Sequence, residues 1–146
     1  MEPTLHTQRF ELVRVMKAVP QRTALPDAIP LRARSMKVGS THCGNDVRLE
    51  HPSLSGVVSR AHATFSRGSK GAWRVRDTNS TNGTFVNGKR LNPFLKHRLR
   101  QGDCVTFGDR FILKDDGVEG TEPLYRANCY CYVYQRMVKD FILINT

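Results

Sequence analysis

The chain has 146 residues, 39% hydrophobic and 25% charged, the balance of a globular domain large enough for a two-sheet core. No apolar run approaches the roughly 18 residues of a membrane-spanning helix, and the opening Met1-Glu2-Pro3 lacks the basic-then-apolar pattern of a secretory signal. An intracellular protein, nuclear or cytoplasmic, is expected, and its formal charge of +10 calls for a polyanionic partner, either a phosphorylated or acidic protein or a nucleic acid.

Residues 1–9 read as a flexible N-terminus, which includes the kinase-type dipeptide Thr7-Gln8. Phe10-Glu11-Leu12-Val13-Arg14-Val15-Met16-Lys17 is rich in branched apolar residues and predicts a first strand. Pro20, Pro26 and Pro30 then punctuate a connector expected to hold little regular structure. Residues 35–38 predict a short strand, followed by a polar loop over 39–49 and a second loop over 50–58. Residues 61–66 alternate as a half-buried strand. The chain turns through Arg67-Gly68-Ser69-Lys70-Gly71 and returns as Ala72-Trp73-Arg74-Val75-Arg76.

The next stretch, Asp77-Thr78-Asn79-Ser80-Thr81-Asn82-Gly83-Thr84-Phe85-Val86-Asn87-Gly88, is the centre of the chain. It reads as strand end, polar loop, short strand and tight turn, with Asn87-Gly88 a strong hairpin signal. Such a loop carries hydroxyls, a carboxamide and free backbone N–H groups on a sheet rim, which suits a multi-oxygen anion. Further on, Arg90-Leu91 and Arg98-Leu99 frame a loop through Pro93, Gly102-Asp103 turns into a strand over 104–107, and residues 110–114 predict another. An acidic loop over 115–123 leads past Leu124-Tyr125 to a last strand over 128–134. There Tyr130, Tyr132 and Tyr134 form a ladder read as packing. Residues 136–146 form a tail or an extra edge strand, apolar at Phe141-Ile142-Leu143-Ile144.

Three ordered motifs carry a resemblance. Val58-Ser59-Arg60-Ala61-His62-Ala63, the Asp77–Gly88 stretch, and Gly102-Asp103-Cys104-Val105-Thr106-Phe107-Gly108 together resemble a forkhead-associated (FHA) domain over residues 36–114. The resemblance implies an all-β fold, an eleven-stranded, mostly antiparallel β-sandwich spanning residues 10–135, with loops at one end forming the binding site. It also implies phosphothreonine recognition in partner proteins. Ser59 would donate its hydroxyl to the phosphate, Arg60 would contact phosphate or peptide, and Thr81 would bind by side chain or backbone. Asn82 would hold the ligand main chain. Gly39, His62 and Gly83 would support the site, His62 by tying down the loop that presents Ser59. The family's first loop normally begins Gly-Arg, but here Gly39 is followed by Ser40, which would stand among the phosphopeptide-binding residues without matching a guanidinium against a phosphate of about −1.5 to −2 charge. Arg34, Lys37 and Arg60 are the neighbouring cations that would replace it.

Other chemistries weigh less. Cys43, Cys104, Cys129 and Cys131 contain no C-x-x-C pair, so free thiols are expected and no metal or cofactor is. No G-x-S-x-G elbow, P-loop or kinase signature is present, and the chain is read as a non-enzyme. Residues 58–114 hold twelve Lys or Arg against three Asp, a surplus of +9. One alternative is therefore a nucleic-acid surface built from Arg67, Lys70, Arg74, Arg76, Lys89, Arg90, Lys96, Arg98 and Arg100, though no aromatic residues are interleaved to stack bases. Another is a degenerate FHA scaffold that binds no phosphate.

Overall fold

The computed structural model describes residues 9–15, 25–114, 120 and 124–137. Its strands are β1 (Phe10–Arg14), β2 (Ala28–Leu31), β3 (Ser35–Gly39), β4 (Val47–Arg48), β5 (Ala63–Arg67), β6 (Trp73–Asp77) and β7 (Thr84–Val86). They continue as β8 (Lys89–Arg90), β9 (His97–Arg98), β10 (Cys104–Phe107), β11 (Phe111–Lys114), β12 (Leu124–Ala127) and β13 (Cys131–Arg136). A six-stranded sheet runs β2-β1-β13-β10-β7-β8 and a five-stranded sheet runs β4-β3-β5-β6-β9, with β11 and β12 paired as a separate ribbon. The fold is the expected all-β sandwich. It has thirteen strands where eleven were expected, three of them (β4, β8 and β9) only two residues long.

Period-two alternation decides which faces meet. On β5 and β6, Ala63, Phe65, Trp73 and Val75 point inward and are buried, while Thr64, Ser66, Arg74 and Arg76 point away. From the other sheet come Leu12, Val105, Phe107, Tyr132 and Tyr134. Phe107 sits at the centre, edge-on to Phe65 at 6.2 Å, Tyr132 at 6.3 Å and His62 at 5.5 Å between ring centroids. Burying each large side chain stabilises the fold by about 1.5–3 kcal/mol, and edge-on aromatic pairs add roughly 0.5–1.5 kcal/mol each.

The tyrosine ladder packs, as its spacing suggests, and its phenols also pin loops. Tyr130 Oη accepts from the His51 N–H at 2.7 Å and donates to the Leu54 carbonyl at 3.1 Å, holding the loop around the short 3-10 turn Pro52–Leu54. Tyr132 Oη donates to the Pro26 carbonyl at 3.1 Å. Burial pushes the phenols of Tyr130 and Tyr132 well above their ordinary value and that of Tyr134 up to about 12.

Several expectations need correction. The 25–31 connector is not irregular: Ala28–Leu31 pairs with β1, with Pro30 opposite Glu11, because β2 is an edge strand where a missing N–H is tolerated. The strand expected over 61–66 starts at Ala63, since Ala61 and His62 belong to the loop. The ladder expected over 128–134 is Cys131–Arg136, and β12 precedes it. Cys129 therefore lies off the strand, buried, while Cys131 Sγ lies 2.8 Å from Cys104 Sγ across the β10–β13 pair. All four cysteines are free thiols, and burial with the Cys104 contact pushes Cys131 up to about 11. Asn87 (φ 53°) and Gly88 (φ 81°) form the two-residue turn of the β7–β8 hairpin, as their sequence predicts. Thr7-Gln8, most of the acidic loop and the 141–144 tail lie outside the described residues.

Candidate functional site

Three segments meet at one end of the sandwich: the β3–β4 loop, the loop entering β5, and the β6–β7 loop. Each is fixed by hydrogen bonds between side chains and backbone. The β3–β4 loop leaves β3 at Gly39 and returns parallel to it, with Gly39 opposite Arg48. Asn45 spans the loop, its Nδ2 donating to the Thr41 carbonyl at 2.9 Å and across to the Arg60 carbonyl at 2.7 Å. Ser40 N–H donates to the Ser59 carbonyl at 3.0 Å. Gly39 permits this approach because a Cβ there would lie 1.9 Å from the Arg60 carbonyl oxygen.

His62 orders the second loop. Nδ1 accepts from the Ser59 N–H at 3.0 Å, so Nε2 carries the proton and donates to the Gly83 carbonyl at 2.8 Å. The ring is buried and neutral, its pKa lowered chiefly by desolvation, against which the Gly83 bond and the Asp77 charge pull upward. A protonated Nδ1 would point its hydrogen at the Ser59 N–H. The folded state thus resists a proton that the unfolded chain takes up near the ordinary value of 6.5. Stability is then complete above that pH and falls as pH drops below it. Thermal melts from pH 7.5 to 5 are expected to show this decline in the wild type and a flatter profile in His62→Gln, with a lower melting temperature at every pH.

The third loop hangs from Asp77, buried at the end of β6. Its carboxylate accepts from the Ser80 N–H at 3.1 Å, the Ser80 hydroxyl at 2.5 Å and the Thr84 hydroxyl at 2.7 Å. Thr78 N–H donates to the His62 carbonyl and its hydroxyl to the Ala61 carbonyl, both at 3.0 Å, fastening the third loop to the second. Thr81 N–H then donates to Ser59 Oγ at 3.0 Å, and Asn82 Nδ2 donates to the Val57 carbonyl at 2.9 Å. Gly83 turns with φ 84°, and Arg90 lies over it so closely that a Cβ would sit 2.7 Å from Nε.

The structure brings together Gly39, Ser40, Ser59, Arg60, Thr81, Asn82, His62 and Gly83. Ser59 is half-buried, while Arg60 and Thr81 are exposed. The Ser59 hydroxyl accepts from Thr81, and its own proton has no acceptor among the described residues. Of the expected substitute cations, Arg60 adjoins the site and Lys37 lines a groove beside it. Arg34 does not reach it, because it precedes β3 at the end remote from Gly39, its carbonyl bonded to the Arg67 N–H. Sequence reasoning missed three residues. Asn45 and Asp77 brace the loops, and Arg48 sets its guanidinium beside the Ser40 backbone, Nε donating to the Ser40 carbonyl at 3.0 Å. The parallel register of β4 on β3 places it there. Among the described residues no group of three or more His, Cys, Asp or Glu is placed to hold a metal, and no helix is long and apolar enough to cross a membrane.

Comparison with known proteins agrees with this geometry. The family model for the FHA domain matches residues 36–108, half of the chain. The ubiquitin-protein ligase DMA2 of Saccharomyces cerevisiae is 40% identical over 79 residues, covering 53% of this chain but only 15% of the ligase. Among solved structures, an FHA domain from Arabidopsis thaliana superposes with a TM-score of 0.61 at 21% identity, over 92% of this chain and 91% of that one. An FHA structure determined for phosphothreonine-dependent interactions gives a TM-score of 0.53 at 20% identity, over 87% and 95% of the two chains.

Proposed function

The chain belongs to the FHA domain family, and on that premise we propose that its three apical loops bind phosphothreonine in a partner protein and so make an interaction depend on phosphorylation. The observation that carries this is the 3.0 Å contact between Ser59 Oγ and the Thr81 N–H. It joins two loops through residues 22 apart and leaves the Ser59 hydroxyl proton without an acceptor among the described residues. Ser59 and Thr81 donate to the phosphoryl oxygens, and Asn82, already tied to Val57, presents the rest of its carboxamide to the peptide backbone. Such short side chains lose little rotamer entropy on ordering. Charge neutralisation, which Ser40 cannot supply, falls to Arg60 and Arg48. Among the described residues neither has a carboxylate within ion-pair distance, since the one ion pair is Arg14–Asp27.

The module binds and does not catalyse, and it works inside the cell. The test is titration with an oriented phosphothreonine peptide library, with phosphoserine and unphosphorylated libraries as controls. Binding of the phosphothreonine library alone is expected. Ser59→Ala removes one charge-assisted hydrogen bond, worth about 1.5–3 kcal/mol, and is expected to weaken binding roughly 10- to 150-fold with little change in melting temperature. Equal affinity of Ser59→Ala and wild type for the selected peptide overturns the reading.

A further inference from the structure

The outer face of the five-stranded sheet carries a charge pattern that phosphothreonine binding does not use. Because Phe65, Trp73 and Val75 point into the core, their neighbours form two rows across the outer face. In the row nearer the apical loops, Lys37 lies opposite Thr64 and Thr64 opposite Arg76. In the next, Ser66 lies opposite Arg74 and Arg74 opposite Arg98. Side chains two apart on a strand are about 6.6 Å apart and those on neighbouring strands about 4.8 Å, so four cations share one small face.

Among the described residues, Lys37, Arg74, Arg76 and Arg98 have no carboxylate within ion-pair distance. Of the described acids nearby, Asp46 uses Oδ2 to accept the Lys37 backbone N–H at 2.7 Å, and Asp103, which lines a pocket with Arg98, accepts from Asn87 Nδ2 at 3.0 Å and the Arg100 N–H at 2.8 Å. Arg74 and Arg98 stand directly opposite each other, a like-charge pairing that weakens a sheet. Arg76 Nε is buried without an acceptor. Among the described residues the arrangement is unfavourable, and an anionic occupant would relieve it.

We propose that this face is a docking surface for an acidic polypeptide segment, rich in Asp, Glu or phosphoryl groups. Continuity with the apical loops favours a polypeptide. An open groove of about 690 Å³ is lined by Lys37, Thr64 and Arg76 from the sheet and by Arg60, Ala61 and Thr78 from the loops. On the phosphothreonine reading, to which this adds a second subsite, one extended partner chain crosses from the loops onto the sheet. A nucleic acid fits less well. The outward residues of both rows are basic or hydroxylic, with no aromatic ring to stack a base, and no helix is presented to a groove.

The test uses the full chain, an unphosphorylated Glu-rich peptide, the same peptide joined to a phosphothreonine segment, the short phosphothreonine peptide, and a DNA duplex and a single-stranded RNA as competitors. Fluorescence anisotropy is measured for wild type, R74E/R98E and Ser59→Ala, with melting temperatures to confirm folding. R74Q/R98Q is held in reserve in case charge reversal unfolds the sheet. The Glu-rich peptide is expected to bind wild type with salt-sensitive affinity and to lose about tenfold or more in R74E/R98E, the scale of one or two lost contacts to charged groups. Ser59→Ala should leave that affinity unchanged, and R74E/R98E should leave the short phosphothreonine peptide unaffected. The proposal is overturned if the Arg74/Arg98 variants bind the Glu-rich peptide as wild type does, or if either nucleic acid outcompetes it at equal ionic strength. Failure of the phosphothreonine reading shows separately, as equal binding of phosphorylated and unphosphorylated short peptides.

Discussion

Asp77→Ala is expected to lower stability by about 3 kcal/mol and, with it, to abolish phosphopeptide binding. Asp77 is 1% exposed, and its two oxygens take three hydrogen bonds, from the Ser80 N–H, the Ser80 hydroxyl and the Thr84 hydroxyl. Ser80 and Thr84 are themselves buried, so donors released by the substitution cannot all turn to water. An unsatisfied buried donor costs about 1–3 kcal/mol, and a cavity is left as well. In a domain of this size 3 kcal/mol corresponds to a melting temperature lower by roughly 10 °C. Binding goes too, because Thr81 and Asn82 hang from the loop that Asp77 organises. Asp77→Asn can keep its acceptor oxygen for the Ser80 and Thr84 hydroxyls but then turns an NH2 toward the Ser80 N–H, and should recover only part of the loss. Differential scanning calorimetry checks the first quantity and peptide titration the second. A melting temperature within a degree or two of wild type would mean that the loop is not built on this carboxylate.

Gly39→Ala is expected to be nearly as severe for binding, through a different cause. The added methyl would lie 1.9 Å from the Arg60 carbonyl oxygen and 2.7 Å from Asn45 Nδ2. The first is backbone and cannot swing aside, so the β3–β4 loop and the Ser59–Arg60 segment must separate. That breaks the Ser40 N–H to Ser59 carbonyl bond and the Asn45 to Arg60 bond. Overpacking of this kind costs about 1–3 kcal/mol. The global effect is thus smaller than for Asp77→Ala, but the affinity for a phosphothreonine peptide should fall below detection. Hydrogen exchange at the Ser40 amide gives a local readout. Wild-type protection there, with wild-type affinity, would show that the two loops do not approach so closely.

What could be read in the chain beforehand follows from which interactions have a local signature. Alternation made β3, β5, β6, β7 and β10 legible, and Asn87-Gly88 marked its hairpin, because these depend on neighbours in sequence. The Asp77–Gly88 stretch was legible as a loop with anion-binding groups. Its mate, the Ser59 segment, could be joined to it only by resemblance, since their contact spans 22 residues. Pro30 concealed β2, because a proline marks a break unless the strand is known to be an edge. The two-residue ladders β4, β8 and β9 are too short to show a period. Arg48 went unrecognised for a related reason: only the parallel register of Gly39 with Arg48 sets its guanidinium against Ser40. Asn45 and Asp77 act through backbone groups of loops brought near by folding, and no spacing rule announces such contacts.

Pro30 has one more effect, at the boundary of the molecule. A sheet margin with a full row of donors invites another chain to add itself as the next strand, the first step toward fibrous assembly. Among the described residues β2 closes the larger sheet, and there the Pro30 ring leaves a gap in that row. The proline that hid this strand from its own sequence therefore also makes the strand a poorer template for an added chain.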